Sequence, residues 1–231
     1  IEQWQCERLK RNKPATVNRI LATLKHMVSK GVQWEMVGEN TLKQVRNVKQ
    51  LEENNRRLRF LNVDECQALI DCCAKHLRPI VITALNTGMR RSEILGLKWE
   101  QVDLRHGFIL LNTSKNGERR EIPINTTVED VLNEIPHSVE SVHVFTNRNG
   151  SPYRDVKKSF HTAIRSAGIH DFKFHDLRHT FASHLVMAGI DLTSVKELMG
   201  HKSLTMTMRY SHLSPTHKRK AVNTLDQVLS N

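Results

Sequence analysis

From His175 to Tyr210 the chain reads HDLRHTFASHLVMAGIDLTSVKELMGHKSLTMTMRY, with a histidine three residues before an arginine, a later Gly-His pair, and a tyrosine nine residues beyond that histidine. Helix positions three apart share a face, so His175 and Arg178 point the same way. Leu177, Phe181, Leu185 and Ala188 recur at helical spacing on a different side, which predicts a helix that packs one face and keeps His175 and Arg178 away from the core, where they can hold an anion. Gly189 to Asp191 reads as a helix stop followed by an N-cap. Leu192, Val195, Leu198 and Met199 mark the next apolar face, and Gly200 ends that helix. His201 then falls in a short corner, and Ser203 can cap a further short helix carrying Tyr210. Taken singly, a histidine or tyrosine on a helix is usually a half-buried packing residue. Together these residues fit phosphodiester chemistry, which needs cations for the non-bridging oxygens, a nucleophile, and an acid for the leaving oxygen. This stretch supplies the first two.

Two upstream stretches extend the pattern. Thr87-Gly88-Met89-Arg90-Arg91-Ser92-Glu93 places Arg90 at or just before a helix start, three residues from Glu93. Such a pair can be no more than an intrahelical ion pair worth ~0.2–0.5 kcal/mol. Ser114-Lys115-Asn116-Gly117 leads to Ile122-Pro123, with Lys115 near the tip of a hairpin that Asn-Gly strongly favours. The three stretches, in this order, resemble the signature of the tyrosine recombinase, or phage integrase, family: Thr-Gly-x-Arg-x-x-Glu, a lysine hairpin, then His-x-x-Arg, Gly-His and a nucleophilic tyrosine. The likeness runs from about Leu58 to the end, and several separated motifs in register are far more specific than any one alone.

The resemblance implies DNA strand cleavage and rejoining through a covalent 3′-phosphotyrosine. Arg90 and Arg178 would hold the scissile phosphate with Glu93 in support, guanidinium being suited to bidentate contact and always charged. Tyr210 would attack. Its ordinary pKa of ~10 calls for help in losing a proton, and His175 is the family's choice for that or for positioning. Lys115 would protonate the departing 5′ oxygen, with Arg119 or Arg120 close enough to compete, and His201 would donate a further hydrogen bond. The phosphotyrosine conserves the bond energy, so no cofactor, ATP or metal is implied. The implied partners are double-stranded DNA, three further copies in a tetramer on synapsed DNA (a monomer in free solution), and an accessory directionality factor. Two alternatives stay open, a type IB topoisomerase-like activity and a catalytically silent DNA-binding protein of the same fold. Other chemistries find little in the sequence. There is no Gly-x-x-x-x-Gly-Lys-Ser/Thr loop and no Asp/Glu cluster for a two-metal nuclease. His175, His179 and His184 have zinc-like proximity but no His-Glu-x-x-His or nearby cysteine pair.

The elements that must position these residues are mostly helical. The 231 residues carry 35 Lys and Arg against 24 Asp and Glu, a net charge of +11, which favours a polyanionic partner. Residues 1–57 hold twelve basic against six acidic side chains, so about half of that excess lies in a quarter of the chain. Four cysteines without Cys-x-x-Cys spacing, no membrane-length apolar run and no signal pattern point to a reducing, cytoplasmic setting, nucleoid-associated when DNA-bound. The chain opens on Ile1, as expected of a piece of something longer. Residues 1–13 look uninformative. Val17, Ile20, Leu21, Leu24, Met27 and Val28 predict an amphipathic helix closing near Gly31, and residues 46–59 read as a linker. Asn62 can cap a helix from Val63, and a core helix is expected over 77–86. Gly107 to Asn112, Arg119 to Ile124 and Val142 to Phe145 predict a three-stranded sheet, and Arg154 to Ala167 a helix with Val156, Phe160, Ala163 and Ile164 inward. A final helix would bury Ala221, Val222, Leu225, Val228 and Leu229. The expected class is mainly α with a small antiparallel β-sheet (α+β), divided into residues 1–57, which the resemblance makes a partial DNA-clamping helical domain with its linker, and a catalytic domain over 58–231.

Overall fold

The opening residues, read from sequence as uninformative, form a helix, α1 (Glu2–Leu9). Pro14 starts α2 (Pro14–Gln33), where its fixed φ and missing N–H cost nothing. α2 closes near Gly31 as expected, two residues beyond it. The chain turns back after it, so that the amides of Met36 and Val37 bond the Gly31 carbonyl at 2.8 and 3.2 Å. A Cβ on Gly31 would meet Val37 Cγ2 at 2.9 Å, so glycine serves close approach here rather than helix termination. α3 (Glu39–Asn47) overlaps the expected linker. Val17, Leu21 and Val45 are buried, while Ile20 and Met27 of the expected apolar face are exposed. Asn18 explains part of the difference. It is 4 % exposed and binds the Leu51 backbone on both sides, Nδ2 to the carbonyl at 2.8 Å and Oδ1 from the amide at 2.8 Å, so the buried face also satisfies polar groups.

This computed structural model describes residues 1–53, 57–112, 119–136 and 141–214, without the side chain of Asn112. They divide into two compact units, Ile1–Arg57 and Leu58–Asn231. Lys115 and the tail from Ala221 to Leu229 lie outside the described residues.

In the second unit Asn62 caps α4 (Val63–Asp71) through a reciprocal box, accepting from the Glu65 amide at 2.7 Å while Glu65 accepts from its own amide at 2.9 Å. α5 (Arg78–Thr87) is the central helix, with Ile80, Val81 and Ala84 buried and neighbours on several sides. Each fully buried aliphatic side chain there contributes roughly 1.5–3 kcal/mol. After the short α6 (Arg91–Leu95) come β1 (Val102–Asp103), β2 (Phe108–Asn112) and β3 (Arg119–Pro123), antiparallel in that order. The third strand is therefore not Val142 to Phe145. β1 takes the free edge of β2 through a tight turn, and His143 instead makes a single bridge to Lys98. α7 (Thr126–Glu134), capped by Asn125, had no sequence counterpart in the expectation. α8 (Lys157–Ser166) starts later than expected, but Val156, Phe160, Ala163 and Ile164 all face inward.

The described residues of this unit end with α9 (Phe174–Met187), α10 (Leu192–Met199), α11 (Leu204–Thr207) and a 3₁₀ turn over Met208–Leu213 that carries Tyr210. Asp191 caps α10 by accepting from the Thr193 and Ser194 amides, both at 2.9 Å. The mainly α architecture with a small antiparallel sheet is the class read from sequence. None of the helices among the described residues is long and apolar enough to cross a membrane.

Candidate active site

Two left-handed glycines build the frame. Gly88 (φ 61°) ends α5 and Gly200 (φ 60°) ends α10, and each helix end presents carbonyls with no intrahelical partner and partial negative charge. Three arginines gather on those carbonyls. Arg178, from the first turns of α9, reaches the Gly88 carbonyl through Nη1 at 2.5 Å and the Met199 carbonyl through Nη2. Arg120, on β3, donates from Nη1 to the same Met199 carbonyl at 2.8 Å. Arg90, at the N-cap of α6, reaches the Gly200 carbonyl from Nη2 at 3.3 Å.

Glu93 ties two of them together. Its Oε2 accepts from the Arg90 amide and from Arg120 Nη2, both at 2.8 Å, and its Oε1 accepts from Arg90 Nη1 at 2.6 Å. Burial works to raise this carboxyl's pKa, but the Arg90 amide, Arg120 and the Arg90 guanidinium outweigh it and hold it below the ordinary range. Arg178 is 3 % exposed, so it does not lie on a solvent-facing side of α9 as the periodicity suggested. A charged side chain can be buried here because helix-end carbonyls receive its donors. Burial, then Arg90 and Arg120, push its pKa down to about 10, which leaves it charged at neutral pH.

The three imidazoles are held neutral. His201 follows Gly200, and its Nδ1 lies 2.8 Å from Thr207 Oγ1, which fixes the ring and turns Nε2 the other way. Burial, then Arg178 and Arg90, bring its pKa down to about 4. His175 is lowered by burial and Arg178, and it lines a 670 Å³ groove with Arg91, Lys157 and Lys173. His179 stands T-shaped to His175, with ring centroids 5.0 Å apart. Its Nδ1 lies 2.5 Å from Tyr210 Oη, and burial followed by Arg209 pushes its pKa to about 3. Tyr210 is fully buried against Ala182, Val186, Val195 and Met199, and burial raises its phenol to about 12 against the opposing pull of Arg209 and Arg178.

The structure thus brings Arg90, Glu93, Arg178 and His201 together, with His175 beside them and Tyr210 held from within. Two residues around the cluster have contacts that sequence reasoning does not give: Arg120 is read there only as a competitor of Lys115, and His179, which lies outside the phosphate cradle, only as a zinc ligand. His184, the third histidine of that zinc reading, bonds the Leu61 carbonyl from Nε2 at 2.8 Å. Among the described residues there is no group of three or more His, Cys, Asp or Glu able to hold a metal ion.

Residues 59–217 match the phage integrase family. The integrase of Salmonella phage P22 is 32 % identical over 85 % of this chain and 53 % of its own length. The solved catalytic domain of bacteriophage HP1 integrase is 33 % identical, with a TM-score of 0.58 over 72 % of this chain and 95 % of that one. The Tn1549 transposon integrase in complex with transposon right end DNA shares the fold, with a TM-score of 0.75 at 19 % identity over 97 % of this chain and 84 % of that one. The chain spans about half the length of the P22 integrase and of the similarly matched shufflon-specific DNA recombinase of Escherichia coli.

Proposed function

The chain belongs to the phage integrase family, and from that premise we propose that it cleaves and rejoins DNA strands as a site-specific recombinase. The observation that carries the reading is the arginine cluster, with three guanidiniums fixed around one carboxylate and two helix ends, and two neutral imidazoles, His175 and His201, alongside. Arg90 and Arg178 hold the non-bridging oxygens of the scissile phosphate, and Glu93 and Arg120 keep them in place. His201 donates from Nε2 to a phosphate oxygen. Tyr210 Oη attacks phosphorus, the bond to the 5′ oxygen breaks, and Lys115 supplies the proton that oxygen needs. His175 receives or guides the phenolic proton. A 5′ hydroxyl from another strand then reverses the step and displaces the tyrosine.

Double-stranded DNA is the substrate, with Arg91, Lys157 and Lys173 around the groove at His175 taking flanking phosphates. Residues 1–57 act as part of a DNA-clamping domain, and the tail beyond Thr216 docks on a neighbouring copy in a synaptic tetramer. The similarity to integrases of phages P22 and HP1 supports this reading over topoisomerase activity or a silent binder.

Covalent trapping tests it. The protein is incubated with fragmented genomic DNA, adducts are collected under denaturing conditions, and the attached ends are sequenced. A recurrent 3′ end attached at Tyr210 is expected. Tyr210→Phe should abolish the adduct, a loss of at least ~10³-fold, and leave DNA affinity within about twofold. Adducts that persist in Tyr210→Phe overturn the assignment.

A further inference from the structure

An oxygen with no solvent exposure cannot reach a phosphodiester of a duplex, so the Tyr210 hydroxyl has to leave its present site before it attacks. The segment that carries it suits such a change. It is a 3₁₀ turn, whose hydrogen bonds are poorer than those of an α-helix, and Met206 and Met208 beside it are exposed. What the hydroxyl meets in its buried site is Nδ1 of His179 at 2.5 Å. We propose that His179 is a positioning residue for the nucleophile, its Nδ1 accepting the Tyr210 hydroxyl hydrogen so that the phenol waits protonated and turned inward until DNA binding draws it out. The inference rests on Tyr210 being the nucleophile.

The surroundings set the direction of that hydrogen bond. His179 faces Arg178 and His175 on its own helix, His201 from the corner after α10, and Arg209 from the turn that carries Tyr210. All four are cationic or become so on protonation. Burial first, and then this positive field, keep the His179 imidazole neutral to about pH 3, while burial holds the phenol near 12. The pair therefore rests as a neutral donor and a neutral acceptor. Transfer of the proton to His179 is the unfavourable outcome, so His179 holds the nucleophile rather than activating it. His175, one helical turn earlier on α9 and in ring contact with His179, is placed to meet the hydroxyl once it is released.

The chain has two tyrosines, so a Tyr153→Phe parent isolates Tyr210 for measurement. Two variants are made in it: His179→Leu, which removes the acceptor and keeps the bulk, and His179→Gln, which keeps an acceptor. Three readouts are taken: nitration of Tyr210 by tetranitromethane without DNA, the ultraviolet titration of its phenol, and single-turnover adduct formation on saturating nicked DNA. In His179→Leu nitration should be at least ~10-fold faster than in the parent and the phenol midpoint should move down toward ~10. Its adduct formation should stay within about threefold of the parent or exceed it, and His179→Gln should restore protection. Equal nitration rates and midpoints in all three proteins overturn the proposal. So does adduct formation slowed ~100-fold in His179→Leu, which would make His179 the general base. If the parent shows the nitration pattern but forms no adduct, Tyr210 as nucleophile fails, and with it the purpose of the hold, while the hydrogen bond itself stands.

Discussion

The arginine cradle and the nucleophile turn lie side by side in the same unit and are held in opposite ways. Arg90, Arg120 and Arg178 are each fixed by donors on two acceptors, so loss of any one contact leaves others in register. Tyr210 is held by apolar burial and by the bond to His179, on a 3₁₀ turn. Directional, redundant bonds make a fixed anion site, and non-directional packing with one polar tie makes a part that can be withdrawn. The proposed strand cleavage asks for that division. The phosphate needs a rigid seat, while the nucleophile has to attack, wait as an ester and return.

Substitution at Arg178 should test the division most severely. Arg178→Ala is expected to cut adduct formation by about 10²–10³-fold in single-turnover assays. Arg178→Lys should not restore it, because one ammonium cannot span the Gly88 and Met199 carbonyls as a planar fork does. If the two parts are independent, nitration of Tyr210 without DNA should not accelerate in Arg178→Ala. Accelerated nitration would show that the cradle also holds the turn.

Gly200→Ala should have a smaller effect and a sharper one when set beside Gly189→Ala. Both glycines have positive φ, 60° and 90°, so both substitutions incur backbone strain of about 1 kcal/mol. A Cβ on Gly200 would also meet Arg120 Nη1 at 2.3 Å, whereas nothing lies within 4 Å of one on Gly189. Thermal melts should therefore show Gly200→Ala losing about 1–3 kcal/mol more than Gly189→Ala, and only Gly200→Ala should slow cleavage. Equal losses would mean that Arg120 is free to give way.

A further expected effect is on stability in acid. His179 and His201 sit near pKa 3 and 4 in the fold, against about 6.5 unfolded. Between pH 6.5 and 4 the unfolded chain takes up protons that the fold refuses, so stability rises with pH across that window and is lost as the pH falls through it. Melting temperature measured over this range should fall with acid, and less steeply in His201→Asn. In alkali the sign reverses at Tyr210. Its phenol keeps its proton to about 12 while the unfolded chain releases one near 10, so stability declines as the pH climbs between them.

Much of this site could be read from sequence because the resemblance to the phage integrase family assigns residue types at set spacings. Arg90, Glu93, Arg178 and His201 are such positions, and the fold brings them together. Burial was harder to read. Periodicity treats an arginine as solvent-facing, whereas Arg178 is enclosed because α5 and α10 end against it, a matter of tertiary placement. His179 acquires its partner only when the turn after α11 lies against α9. β1, two residues long, is too short to leave an alternating pattern, and α7 is short enough that its Asn125 cap went unread. By contrast, Asn62, Gly88 and Asp191 were readable as caps because capping is local.

Holding the guanidiniums largely by backbone carbonyls has a consequence for charge. A carbonyl orients a cation without neutralising it, so among the described residues three guanidiniums and the carboxylate of Glu93 leave the cradle with two positive charges in excess. A phosphodiester brings one negative charge, and its pentacoordinate transition state carries about two. The seat is therefore over-charged for the bound substrate and balanced for the transition state. In the proposed reaction that excess would favour the transition state, since it is matched only as the new bond to phosphorus forms.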